Sequence, residues 1–235
     1  MSENDSPEVI KFFPWSGDAE EDLPIPVPSV RLIPEKYRSF PRWVGEETDP
    51  ARLATIKHCM PFFDAMSAGY CFVTHADIEI KIVSGEPVIT SDYSPVMFFH
   101  TRDRRDIPTP FGCYEKRFTW VMRWGMKVPE GWAVLITPPL NHTDYPFYTT
   151  SGIVDYDEYI SPGDIGFFVK KGFEGVIKAG TPMFQLIPIK RANWVSEIDR
   201  SLIEACAEYN RNKEESNIIG SGNYKKNYRK EKKYE

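Results

Sequence analysis

The residues of this chain that could do chemistry concentrate between Trp124 and Arg191. The run Gly152–Tyr159 (GIVDYDEY) sets Asp155 and Asp157 two residues apart, between a short apolar stretch and Pro162. A carboxylate in that setting can take a proton from an attacking water. The same residues equally spell an aspartate-rich turn. Downstream, Ala179–Leu186 (AGTPMFQL) places Gln185 in an otherwise apolar strand. Its amide has donors and an acceptor to offer, either to a polar ligand or to a neighbouring backbone group.

Metal chemistry finds little support in the spacings. His142-Thr143-Asp144 supplies two ligands of an iron facial triad, but no histidine follows His142 to complete it. Cys59, Cys71, Cys113 and Cys206 lie far apart without CxxC spacing, and His58–Cys59 has no second pair nearby. The expectation is free, mostly buried thiols in a reducing compartment, with no metal site and no resident cofactor.

Charge is unevenly placed. Asp18, Glu20, Glu21 and Asp22 cluster near the N-terminus, and Arg102, Arg104 and Arg105 fall in Thr101–Gly112, which reads as a surface loop. The end of the chain, YKKNYRKEKKYE, interleaves aromatics with lysines. That composition can contact nucleic acid by stacking on bases and pairing with phosphates. It can also dock on an acidic protein surface, or stay solvated.

The elements that must position these residues are mostly strands. The chain has 20 prolines and 14% aromatics, which favours strands and structured loops over helices. Alternation from Tyr70 through Ile82, broken at Thr74–His75, predicts one kinked strand. Val128–Gly131 predicts a turn into a buried strand, Trp132–Ile136. Ile165–Val169 and Phe173–Ile177 flank Lys170-Lys171-Gly172 as a hairpin. Phe62–Ala68 predicts a helical turn ended by Gly69, and Pro50–Lys57 a short helix capped by Asp49. Ile198, Leu202, Ala205, Cys206 and Tyr209 share one face at helical period, predicting an amphipathic helix over Val195–Asn212. Proline-dense Leu23–Pro34 forces an extended path. No apolar run reaches the roughly 18–20 residues of a membrane helix, and the acidic start lacks the order of a signal peptide. A soluble, cytoplasmic chain with no membrane partner is expected.

The motif order resembles that of the dUTP pyrophosphatase family, whose five short motifs sit on a β-barrel-like fold, with sites shared between subunits of a trimer. Ser67–Tyr70 (SAGY) matches the first motif, and Pro129–Asn141 leads into the second. Ser151–Tyr159 is similar to the third and Ala179–Leu186 to the fourth, with Gln185 at the glutamine position. Ile219–Asn223 stands where the Gly-rich fifth would be. The resemblance implies Asp155 as the base that activates water, Tyr159 packed over deoxyribose, and magnesium brought in with the nucleotide. It also exposes departures. Pro138-Pro139-Leu140-Asn141 stands where an arginine and a serine would hold phosphate, and Cys71 stands where a metal-linked aspartate belongs.

A longer stretch, about Lys57–Trp194, is similar to an uncharacterised family found in bacteriophages and bacteria. The likeness rests on CMPFFDAMSAGY, Pro139-Leu140-Asn141 with Asp144-Tyr145-Pro146-Phe147, Gly152–Tyr159, and Ala179–Arg191. No activity travels with it.

The sequence therefore predicts a mainly β protein, an antiparallel β-barrel or jelly roll of dUTPase-like (β-clip) type. Residues 1–55 form an extended N-terminal arm, 56–191 the β-domain, 192–213 a C-terminal helix and 214–235 a basic tail. The candidate site is Asp155 as base, with Asn141, Asp157, Tyr159, Gln185 and Arg191 as ligand-binding residues. Long arms suggest a homo-oligomer, and a trimer is the form the resemblance implies. Two functions follow: a phage-type, non-catalytic binding or assembly component, in host cytoplasm or virion, or a nucleotide-binding protein or phosphohydrolase.

Overall fold

Short alternating apolar runs separated by Gly and Pro become short strands, and the computed structural model shows how they pair. It describes residues 7–15, 24–49, 52–91, 107–211 and 224–235 in full, and 99–104 and 212–215 by their backbone. The strands are β1 (Lys11–Pro14), β2 (Val27–Pro28), β3 (Trp43–Val44), β4 (Leu53–Ala54), β5 (Tyr70–Val73), β6 (Ile78–Val83), β7 (Glu86–Thr90) and β8 (Phe99–Arg104). They continue with β9 (Cys113–Val121), β10 (Trp124–Lys127), β11 (Trp132–Thr137), β12 (Phe147–Thr149), β13 (Gly152–Val154), β14 (Asp164–Lys170), β15 (Gly175–Ile177) and β16 (Pro182–Lys190). The helices are α1 (Glu35–Ser39), α2 (Met60–Ser67) and α3 (Ile203–Glu215).

The chain forms two compact units. The first takes the described residues up to Leu32, Ser67–Arg191 and Tyr234–Glu235; the second takes Ile33–Met66 and the described part of Ala192–Lys233. Residues 1–55 of the sequence reading thus contribute to both. In the first unit β13-β11-β16-β5-β2 make a five-stranded sheet and β12-β14-β9-β8 a four-stranded one, beside β15-β6-β7 and the pair β1-β10. Every strand pairing among the described residues is antiparallel, and none of the sheets closes into a barrel. The protein is mainly β. The second unit holds α1, α2, α3 and the short pair β3-β4.

The core of the first unit is aromatic. Trp120 stacks on Phe167 with centroids 3.7 Å apart and meets Phe147 edge-on at 5.3 Å. Buried polar atoms are paired there: the Trp120 indole N–H donates to Thr149 Oγ1 at 3.1 Å, and that hydroxyl donates to the Met183 carbonyl at 2.7 Å. This chain of bonds ties β9 and β12 of one sheet to β16 of the other, satisfying groups that burial would otherwise penalise.

Several expectations are corrected. The kinked strand from Tyr70 is two strands, β5 and β6, in different sheets. The Lys170-Lys171-Gly172 turn joins β14 to β15, also in different sheets, so it is a crossover and not a hairpin. Thr101–Arg104 belongs to strand β8, not to a loop. The helix expected over Pro50–Lys57 is replaced by strand β4 and a 3-10 turn, Ile56–His58. The C-terminal helix begins at Ile203, and residues 192–200 have no regular structure. The acidic cluster Asp18–Asp22, the side chains of Arg102, Arg104 and Arg105, and the Ile219–Asn223 motif lie outside the described residues.

Candidate functional site

Asp155 opens a turn immediately after β13. Its carbonyl accepts hydrogen bonds from Glu158 N at 3.0 Å and Tyr159 N at 2.9 Å, which turns the chain back and brings Asp157 inward. Arg191, just past the end of β16, lies with Nη1 2.9 Å from Oδ1 of Asp155 and 2.9 Å from Oδ1 of Asp157. Its Nη2 bonds Oδ2 of Asp157, which also accepts from Gly131 N at 2.9 Å. Gly131 in turn gives its carbonyl to Arg191 N at 2.8 Å. One guanidinium thus fastens the 155–159 turn, the 128–131 turn and the end of β16 together. Its planar fork suits such bidentate pairing.

The two carboxylates fare differently. Asp157 is buried and Asp155 keeps 59% of its side chain exposed. Burial pushes the Asp157 carboxyl up, but the Gly131 hydrogen bond and the Arg191 charge outweigh it and hold the group below its ordinary range. Removing Asp157 leaves the guanidinium with Asp155 alone and a backbone N–H without its acceptor. Asp157→Ala is therefore expected to lower the melting temperature by about 5–10 °C, and Asp155→Ala by no more than about 2 °C, in a thermal melt.

Gln185 sits at the other end of the same strand pair, opposite Thr137, whereas Lys190 faces Trp132. Gln185 and Arg191 are six positions apart along β16, about 20 Å at strand rise. The Gln185 side chain is buried. Its Oε1 accepts from Leu140 N at 2.8 Å, and its Nε2 donates to the Ala68 carbonyl at 2.6 Å. It braces the Pro138–Asn141 turn against the residues that follow α2. Asn141 is exposed, with a left-handed φ of 60°. Tyr159 is exposed too, its ring tilted against Tyr156 at 6.2 Å. Of the predicted set, the structure brings together Asp155, Asp157, Tyr159 and Arg191 at one end of β11, and Gln185 and Asn141 at the other.

Near Gln185 lies a cluster, His142, Tyr145 and Cys71, whose members the motifs do not link to one another. His142 Nδ1 is 2.6 Å from the Tyr145 hydroxyl, and burial pushes the imidazole down to about 4, so it is neutral at pH 7. Burial also raises the Tyr145 phenol. Cys71, in register with Gln185, is buried beside the Ser29 hydroxyl at 3.3 Å. Burial pushes its thiol up to about 12, against the hydrogen bond with Ser29. A thiol held protonated in this way is neither a nucleophile nor a hard-metal ligand. The spacing His142-x-x-Tyr145 is visible in the sequence, but only burial gives the pair its character. Among the described residues no cluster of three His, Cys, Asp or Glu is arranged to hold a metal.

The basic tail is partly neutralised within the second unit. Arg229 grips Asp64 of α2 through Nε at 3.1 Å and Nη2 at 2.7 Å, and Lys232 Nζ stands 3.4 Å from the same carboxylate. Asp64 is 12% exposed and Arg229 13%. In the first unit the Tyr70 hydroxyl donates to the Glu235 carbonyl at 3.1 Å, and the Tyr234 ring lies 6.1 Å from that of Tyr70. The hydrogen bond from Arg229 holds the Asp64 carboxyl below its ordinary value, so this tie stabilises above the unfolded carboxylate pKa of about 4 and is lost as pH falls through the lowered folded value. At neutral pH, Asp64→Asn imitates the acid state. Amide exchange over 224–233 is expected to speed up about tenfold or more, and unchanged protection would show that the pair does not anchor the tail.

No helix among the described residues is long and apolar enough to cross a membrane. In comparisons with known proteins, no family model and no curated protein matches this chain.

Proposed function

We propose that this chain is a non-catalytic, phage-type binding or assembly component that acts as a homo-oligomer. The observation that carries this reading is an exposed apolar stretch after the β-sheets: Trp194, Val195 and Ile198 are 89%, 95% and 89% exposed. Large apolar side chains left in water within five residues of one another mark an interaction surface. The chemistry of the first unit supports the same reading, because Arg191 holds Asp155 in an ion pair and Gln185 is engaged by two backbone groups. The lysines of the basic tail suit an acidic protein surface or a nucleic acid as the further partner.

A second reading, a nucleotide-binding protein or phosphohydrolase with Asp155 as base, is favoured by one observation. Asp155 and Tyr159 share a turn and both reach solvent. Gln185 lies too far along β16 to join them in one chain, so another copy would have to complete the site. Magnesium would come with the phosphates, since Cys71 offers it no hard ligand.

Sedimentation separates oligomer from monomer, and a thermal-shift screen with deoxynucleotides and ribonucleotides, with and without magnesium, separates the two readings. An oligomer with a flat screen at millimolar nucleotide supports the assembly reading. A melting point raised by one nucleotide, with turnover that Asp155→Asn abolishes, overturns it in favour of the second.

A further inference from the structure

The exposed stretch is ordered in a way that names its partner. Val195, Ile198, Leu202, Ala205 and Tyr209 follow one another at intervals of three, four, three and four residues, the a and d positions of a heptad. All are exposed, Leu202 at 57% and Tyr209 at 48%. Ser196, Glu197, Arg200, Glu204 and Arg211 occupy outer positions, with Ile203 the large apolar exception. One g position is Glu208, and the e position five residues on in sequence is Lys213, opposite charges that a parallel copy of the same helix sets side by side. An antiparallel copy aligned over the whole stripe would instead set g against g, Glu208 near Ser201, with no opposite charge to meet it.

The backbone fits a helix waiting for that partner. α3 begins only at Ile203, although the heptad starts eight residues earlier. A lone 13-residue helix whose described side chains are all exposed is marginal in water, because nucleation is costly and propensity alone returns little. A strip of apolar knobs on a second copy supplies the missing face.

We infer that residues 195–215 are a self-association helix, which extends α3 back to Val195 when it pairs in parallel with the same segment of another copy through Val195, Ile198, Leu202, Ala205 and Tyr209. This rests on the assembly reading above and names its interface.

Two measurements on the full chain decide it. In the first, sedimentation and far-UV circular dichroism are followed over a concentration series for the wild type and for Ile198→Asp/Leu202→Asp. The wild type is expected to associate and to gain helix as it does so. The variant is expected to stay monomeric with an unchanged melting point at low concentration, since these side chains are exposed in the single chain. In the second, Ala205→Cys in a Cys206→Ser background is mildly oxidised, with Cys206→Ser alone as the control. A disulfide-linked dimer is expected only with Ala205→Cys, because d positions face each other only in a parallel pair. An oligomer that survives Ile198→Asp/Leu202→Asp, or an Ala205→Cys thiol that fails to cross-link within an oligomer, overturns this interface while leaving the assembly reading standing. A wild type that stays monomeric throughout overturns both.

Discussion

Gly69→Ala is expected to cost about 4 kcal/mol or more of folding stability, read as a lowered urea midpoint. Gly69 follows α2 and has a φ of +63°. A left-handed conformation costs alanine about 1 kcal/mol. The larger part is steric. A Cβ at this position would lie 1.8 Å from the Leu186 carbonyl oxygen, 2.9 Å from its carbon and 3.1 Å from Ile187 Cα. All three are backbone atoms of β16, which is held between β11 and β5 and cannot yield without breaking sheet bonds. Gly172 is the control, since it too has a left-handed φ, of +85°, but nothing within 4 Å of a Cβ. Gly172→Ala should cost only the conformational part, about 1 kcal/mol. Equal costs at the two sites would show that β16 accommodates the methyl. The SAGY run likened to a first motif therefore has a packing reason for its glycine, as it also has for its carbonyl, which accepts from Ser29 N at 3.0 Å.

Strands are legible in the sequence where alternation meets a turn. Val128–Gly131 turns into β11 as expected, with Gly131 at a positive φ and Trp132 N donating to the Pro129 carbonyl. What alternation cannot state is which strand lies alongside. β14 and β15 are consecutive and well patterned, yet β14 lies between β12 and β9 in one sheet, where Phe167 stacks on Trp120, and β15 pairs with β6 in another. The apolar stripe of Ile198, Leu202, Ala205 and Tyr209 is equally plain, yet only its Ala205–Tyr209 part is helical, because a stripe that nothing covers gains little from helix formation. At the candidate site, the paired aspartates read both as a turn and as a base. The guanidinium that ties them down arrives from Arg191, distant in sequence and brought close only by the register of β11 with β16. His142 and Tyr145 are close in sequence, but nothing in their spacing foretells an imidazole kept neutral by burial.

Gln185 carries the second large expectation, and its chemistry separates a brace from a ligand residue. Gln185→Ala removes both the acceptor of Leu140 N and the donor to the Ala68 carbonyl, and leaves a void where the buried side chain bridged them. Two part-buried backbone groups without partners, plus the cavity, should cost about 3–5 kcal/mol in urea unfolding. Gln185→Glu sharpens the point. At pH 7 a carboxylate can still accept from Leu140 N, but it faces the Ala68 carbonyl lone pairs without a proton to offer. Burial and that repulsion raise the folded pKa of the new carboxyl above its unfolded value of about 4.3. A group raised in this way stabilises below the unfolded pKa and loses that contribution as pH rises through the folded value. The variant should therefore fall furthest behind wild type at about pH 7–8 and recover much of the gap near pH 4, where the protonated oxygen donates to Ala68 as the amide did. If Gln185 instead served mainly to hold a ligand, both variants would unfold like the wild type at every pH.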